Sequence, residues 1–201
     1  MLGTRYAHIT GWGSYAPPRV VTNDELAQIV PTTDEWIRDR TGIKERRIAD
    51  DHDYTSTMAI KASRRALEVA NLAPDQLGLV ILATATPDHL MPNTATMVQT
   101  ALGATGAAAF DLNAACSGFV YGVVVASGLI RAGLYDTALV IGAESLSRVT
   151  NWTDRGKKQV ITRQKHEPGG KLTLDAALQQ YGGGAHSREE QGDKDRKKQH
   201  R

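Results

Sequence analysis

The chain has 201 residues, 41% of them hydrophobic and 23% charged, with a net charge of +2 and a mean hydropathy of −0.35. These figures fit a globular protein with a sizeable core, exclude a compositionally disordered chain, and give no electrostatic reason to expect a nucleic-acid partner. One cysteine, Cys116, cannot close an intramolecular disulfide, and "MLGTRYAHITGWGSY" lacks the charged start and apolar core of a secretory signal, so a cytoplasmic setting is expected.

Strand and helix signals alternate up to about Arg155, the grammar of an α/β protein. "RYAHITGWGSY" predicts a first strand ending in a glycine turn. "TNDELAQIV" and "TTDEWIRDRTG" predict two short helices, each opened by a capping residue with acids in its first turn, the second closed by Gly42. From Thr55 to Asn71, Met58, Ala62, Leu67 and Ala70 fall near one helical face, opposite Lys61, Arg64, Arg65 and Glu68.

"LGLVILATAT" is a continuous apolar run of strand length, as expected for a strand covered on both faces. "NTATMVQTALG" predicts a helix, "AAAFDLNAA" a strand, "CSGFVYGVVVASGLIRAG" a buried helix and "DTALVIGAESLS" a further strand. The result is two β-α-β units in a mostly parallel sheet with right-handed crossovers, the second pivoting on Cys116. The apolar run from Leu112 to Ile130 is broken by Asn113, Ser117, Gly118, Gly122, Ser127 and Gly128, and its strand-like start leaves a helix too short for a bilayer.

The pattern changes after Arg155. Residues 156–201 hold 11 Lys and Arg against 6 Asp and Glu, a local charge of +5, while the remainder carries −3. Their one weak apolar cluster, around Leu172 to Leu178, cannot offset the entropy of ordering, so a divergent, disordered basic tail is expected after a folded domain spanning 1–155.

Cys116 stands where a buried strand meets a helix. There a thiol lies near unpaired N–H groups and the positive end of the helix dipole, which favour thiolate, and Ser117 and Gly118 permit a tight turn. That is the layout of a nucleophile elbow with sulfur in place of oxygen. Position alone is equally compatible with a small buried hydrophobe.

Neighbouring motifs add to this. "AACSGF", "DEWIRDRTGIKERR" and "NWTDRG", with "GSYAPPRVVTNDEL", "LATATPDHLMPNTA" and "ALVIGAESLSR" in order, resemble β-ketoacyl-acyl-carrier-protein synthase III, the initiating condensing enzyme of bacterial fatty-acid synthesis. The resemblance runs from about Tyr6 to Gly156 and implies the amino-terminal half of a thiolase-like fold, in which two similar α/β halves pack together and dimerise. It implies that Cys116 takes a short acyl group from acyl-CoA, after which malonyl-acyl-carrier protein loses CO₂ and its carbanion attacks the thioester. By the same resemblance Trp36 stacks on the CoA adenine, Arg155 covers its other face, Arg40 meets the CoA phosphates, and Met91 lines the acyl pocket of a partner subunit. An indole and a guanidinium plane can sandwich a base, and arginine pairs well with phosphate. CoA enters as substrate; no resident cofactor, metal or membrane partner is implied. His52 and His89 lie in polar, loop-like surroundings and read as structural residues.

The resemblance stops at the tail. A glycine-rich strand and, farther on, a histidine and an asparagine are expected after "TDRG", but "KKQVITRQKHEPGG" follows. Only His166, His186 and His200 lie beyond the break, and no asparagine follows Asn151. Two functions are therefore expected: an acyltransferase of the synthase III type whose chain is truncated, or a non-catalytic remnant that binds CoA or pairs with an intact subunit. Hydroxymethylglutaryl-CoA synthases and chalcone-type synthases, which also use a cysteine, fit "DEWIRDRTGI" and "NWTDRG" less well.

Overall fold

The computed structural model describes residues 5–152. In chain order its elements are β1 (Val20–Thr22), α1 (Asn23–Ala27), α2 (Asp34–Thr41), β2 (Glu45–Arg47), α3 (Thr55–Ala70), β3 (Leu79–Ala83), α4 (Thr94–Leu102), β4 (Ala108–Leu112), α5 (Gly118–Arg131), β5 (Ala138–Gly142) and α6 (Leu146–Val149). β1 and β2 form a small antiparallel pair, while β3 lies between β4 and β5 in a parallel sheet.

All five residues of β3 are buried, because helices cover both its faces. Val80 and Leu82 point to one side, where they meet Ala59 and Leu67 of α3 and Ala95 and Val98 of α4. Leu79 and Ile81 point to the other, against Ala126 of α5. The chain leaves β3 for β4 in one direction and returns past β3 to β5 in the other. Right-handed crossovers in opposite directions place α4 and α5 on opposite faces, giving three layers. The α/β arrangement with a parallel sheet read from the sequence is therefore present.

The β1–β2 pair was not expected, and the strand expected through Ser147 ends at Gly142 and gives way to α6; two further elements also differ. Residues 5–15 form no strand, since a ladder requires a neighbour and none pairs with them among the described residues. Instead the segment lies along α3, so close that a Cβ on Gly11 would come within 2.3 Å of the Ala66 carbonyl oxygen and one on Gly13 within 2.2 Å of that of Ala62. Only glycine permits that approach. Arg65 reinforces it by donating to the Ser14 carbonyl at 2.6 Å.

The second difference is α5, which is buried on one face only. Gly118, Gly122 and Ala126, one turn apart, seat it on the sheet. The bulky apolar residues are turned away: Phe119 is 51%, Val120 61%, Tyr121 55% and Val124 62% exposed. A helix apolar on all sides is built to be covered twice, and among the described residues only the sheet covers it. At 14 residues α5 is also too short to cross a bilayer, and no helix of the described residues is long and apolar enough to do so.

Candidate active site

Cys116 lies in a single 3₁₀ turn, Ala115–Ser117, between the end of β4 and the start of α5. The turn closes through Ser117 N–H donating to the Ala114 carbonyl at 3.1 Å. Ala115 has φ 46°, the left-handed region that costs an alanine about 1–2 kcal/mol. A residue held there bends the chain sharply between strand and helix and leaves the next side chain at the surface. Cys116 is exposed, so the alternative of a small buried hydrophobe is set aside. Two residues on, Gly118 approaches β3 so closely that a Cβ would come within 3.0 Å of the Ala83 Cβ.

A loop from residue 84 to 93 leaves the same, carboxyl-terminal end of the sheet and carries Met91 and Leu90, which are 88% and 71% exposed. Its base is tied down by charge and hydroxyls. Glu144, just after β5, accepts from the Ala85 N–H at 2.7 Å and from Thr86 Oγ1 at 2.5 Å. Thr55 Oγ1, at the start of α3, donates to the Thr86 carbonyl at 2.6 Å, and the Asp88 carboxylate accepts from Ser56 N–H at 3.1 Å. Asp111 on β4 accepts from both Thr94 and Ala95 N–H groups, at 2.9 and 2.7 Å, capping α4. The strand that delivers Cys116 thereby also holds the helix behind the Met91 loop. In the sequence these carboxylates read as ordinary polar residues, and an Asp inside the apolar run "AAFDL" is the signal of their role.

The third cluster sits on α2. Thr33 caps this helix by accepting from the Trp36 N–H at 3.1 Å, and Gly42 ends it at φ 70°. Trp36 and Arg40, one turn apart, meet on its surface with the guanidinium carbon 4.5 Å from the indole centroid. Trp36 is 41% exposed, so it is not the core residue that an amphipathic helix would otherwise suggest. The structure thus brings Trp36 and Arg40 into contact, while Cys116 and Met91 stand on separate loops at one end of the sheet. Arg155 and the tail 156–201 lie outside the described residues. Of the two histidines, His52 is exposed and His89 half-buried. No group of three or more His, Cys, Asp or Glu side chains among the described residues could hold a metal.

The known proteins that this chain resembles are consistent among themselves. The family 3-oxoacyl-[acyl-carrier-protein (ACP)] synthase III matches residues 110–162, a span that includes Cys116 and runs past Gly156. β-Ketoacyl-[acyl-carrier-protein] synthase III of Caldanaerobacter subterraneus subsp. tengcongensis is 54% identical over 149 residues, covering 74% of this chain and 45% of the relative. That of Symbiobacterium thermophilum is 57% identical over 147 residues, covering 73% and 44%. The crystal structure of 3-oxoacyl-[acyl-carrier-protein] synthase III from Aquifex aeolicus VF5 superposes with a TM-score of 0.72 at 49% identity, covering 77% of this chain and 49% of that one. The chain spans about half the length of the curated relatives it matches.

Proposed function

We propose that this chain, whose first three quarters are β-ketoacyl-acyl-carrier-protein synthase III-like in sequence and fold, carries the acyl-accepting half of a condensing enzyme, with Cys116 as nucleophile. The observation that carries this reading is the exposed thiol on a strained turn, Ala115 at φ 46°, between a parallel strand and a helix. Ligands of open α/β sheets bind outside the carboxyl ends of the strands, where this turn stands.

In the proposed reaction the Cys116 thiolate attacks the carbonyl carbon of an acyl-CoA. The bond from that carbon to the CoA sulfur breaks, CoA leaves with the electron pair and takes up a proton, and the acyl group remains on Cys116 as a thioester. Exchange between thioesters costs little free energy, and the product keeps an electrophilic carbonyl for carbon attack by decarboxylated malonyl-acyl-carrier protein. Trp36 and Arg40 supply an aromatic face with positive charge beside it, suited to the base and phosphates of CoA; Arg155 is proposed to join them. Met91, exposed on a loop with a pinned base, is proposed to line the acyl pocket of a second subunit.

Condensation demands more. Decarboxylation puts negative charge on the malonyl thioester oxygen, and each donor placed there supplies on the order of 10²–10³ in rate. The relatives' donors, by resemblance a histidine and an asparagine, have no match in context here: His166, His186 and His200 lie in the divergent tail, and no asparagine follows Asn151. The chain alone is therefore proposed to load Cys116 without forming the new carbon–carbon bond. The open apolar face of α5 favours a second reading, in which the chain binds CoA or pairs with an intact subunit without turnover. Supplying the 201-residue chain with acetyl-CoA and malonyl-acyl-carrier protein tests the first reading. Acetyl-Cys116 without acetoacetyl-carrier protein is expected. Acetoacetyl product that disappears in Cys116→Ala would show that the tail or a partner surface provides the donors.

A further inference from the structure

Asn23, the first residue of α1, is 1% exposed and has each of its polar atoms bonded. Its amide nitrogen donates to Asp34 Oδ1 at 2.7 Å and to the Ile43 carbonyl at 2.8 Å. Its oxygen accepts from Arg46 Nη2 at 2.5 Å, while Arg46 Nη1 donates to the Val21 carbonyl at 3.1 Å. Asp34 opens α2 and Ile43 follows the Gly42 that closes it, so one buried amide grips both ends of that helix and ties it to the β1–β2 pair.

Little apolar packing holds α2 besides that grip. Ile37 is the one buried side chain of its eight residues. The exposed ion pair from Arg38 Nη1 to Asp34 Oδ2, at 3.3 Å, lies within the helix and orients nothing outside it. An amide suits the site because it must give two hydrogens, to a carboxylate and a carbonyl, and accept one from a guanidinium. The Asp34 carboxyl is held below its ordinary range, chiefly by the Asn23 hydrogen bond.

We propose that Asn23 is a positioning residue for the ligand face of α2, setting where Trp36 and Arg40 stand. As a statement about ligand recognition, this rests on the reading of that face as the CoA site. The test is Asn23→Asp in the full chain, which leaves the Arg46 contact, removes the donor to the Ile43 carbonyl and sets a second carboxylate against Asp34. Arg46 faces the pair from β2, Arg38 from α2 itself and Lys44 from the segment between them. Two carboxylates at hydrogen-bond distance repel when ionised and share a proton when the pH falls.

Two readouts are followed: the Trp36 indole N–H resonance of the ligand-free chain, assigned with Trp36→Phe, and the affinity for coenzyme A, each relative to the unsubstituted chain. At about pH 8 the variant's Trp36 resonance is expected to move while that of Trp12 stays, with coenzyme A affinity down about tenfold; at about pH 5.5 both should move most of the way back. Adding Asp34→Asn restores the donor and acceptor pair between residues 23 and 34, though not the donor to the Ile43 carbonyl, and should rescue both readouts in large part at either pH. An unmoved Trp36 resonance at the higher pH, or no rescue by acid or by the double variant, overturns the proposal. Should Asn23→Asp alone not fold, a folded double variant with Trp36 in place supports it and an unfolded one overturns it. If the unsubstituted chain fails to bind coenzyme A, the CoA reading falls, and the pH-reversible shift of Trp36 still decides the positioning role.

Discussion

Gly122 of α5 lies so close to Val140 of β5 that a Cβ on the glycine would come within 2.9 Å of Val140 Cγ1. The valine branch cannot swing clear as the end of a long side chain would. Gly122→Val is therefore expected to lift α5 from the sheet and cost about 1–3 kcal/mol in urea denaturation. Gly128 is on the same helix, and a Cβ there meets nothing within 4 Å. Gly128→Ala should be neutral or stabilising by up to about 1 kcal/mol. Equal losses in both variants would mean that α5 is not seated by its small residues.

Asp53 fastens the amino-terminal segment. It is 2% exposed and accepts from Tyr15 Oη at 3.1 Å and from Lys61 Nζ at 3.2 Å. Burial pushes its carboxyl up, but the hydrogen bonds from Lys61, the Asp50 N–H and Tyr15 outweigh that and leave it below the ordinary range. A carboxyl lowered by folding stabilises above its unfolded value, about 3.9, and the contribution is lost as pH falls through the lower folded value. The Lys61 ammonium is raised by Tyr15 and Asp53, so its contribution is present below its unfolded value, about 10.4, and fades as pH rises through the higher folded one. Asp53→Asn should cost about 1–3 kcal/mol at neutral pH, with the gap to the unsubstituted chain narrowing in acid below about pH 4. A gap that stays constant into acid would contradict the ionised role.

The proposed CoA surface can be probed one side chain at a time. Trp36→Ala removes the stacking plane, and Arg40→Ala and Arg155→Ala each remove a cation; each change should weaken coenzyme A binding by about 1–3 kcal/mol, roughly fivefold to a hundredfold. Calorimetric titration that finds undiminished affinity in Trp36→Ala and Arg155→Ala would remove both from the site.

How much of this was legible beforehand depended on whether local chemistry decided it. The α2 boundaries were readable because Thr33 and Gly42 act within one turn of the helix they bound. β3 was readable because burial on both faces leaves an unbroken apolar run. Residues 5–15 misled because strand-like alternation states a preference, while pairing depends on a neighbour elsewhere in the chain. The position of Cys116 at a strand–helix joint was plain, but its exposure and the left-handed Ala115 before it emerge only from tertiary geometry. Asn23 reads in the sequence as an ordinary first-turn residue; three partners distant along the chain make it a buried hub.

The most direct measurement is mass analysis of the intact 201-residue chain and its peptides after incubation with labelled acetyl-CoA. One acetyl group per chain is expected, on the peptide containing Cys116, released by hydroxylamine as a thioester should be, and absent from Cys116→Ala. Acetylation that persists in Cys116→Ala, or a folded chain whose Cys116 stays unmodified while it binds coenzyme A, would contradict the nucleophile assignment.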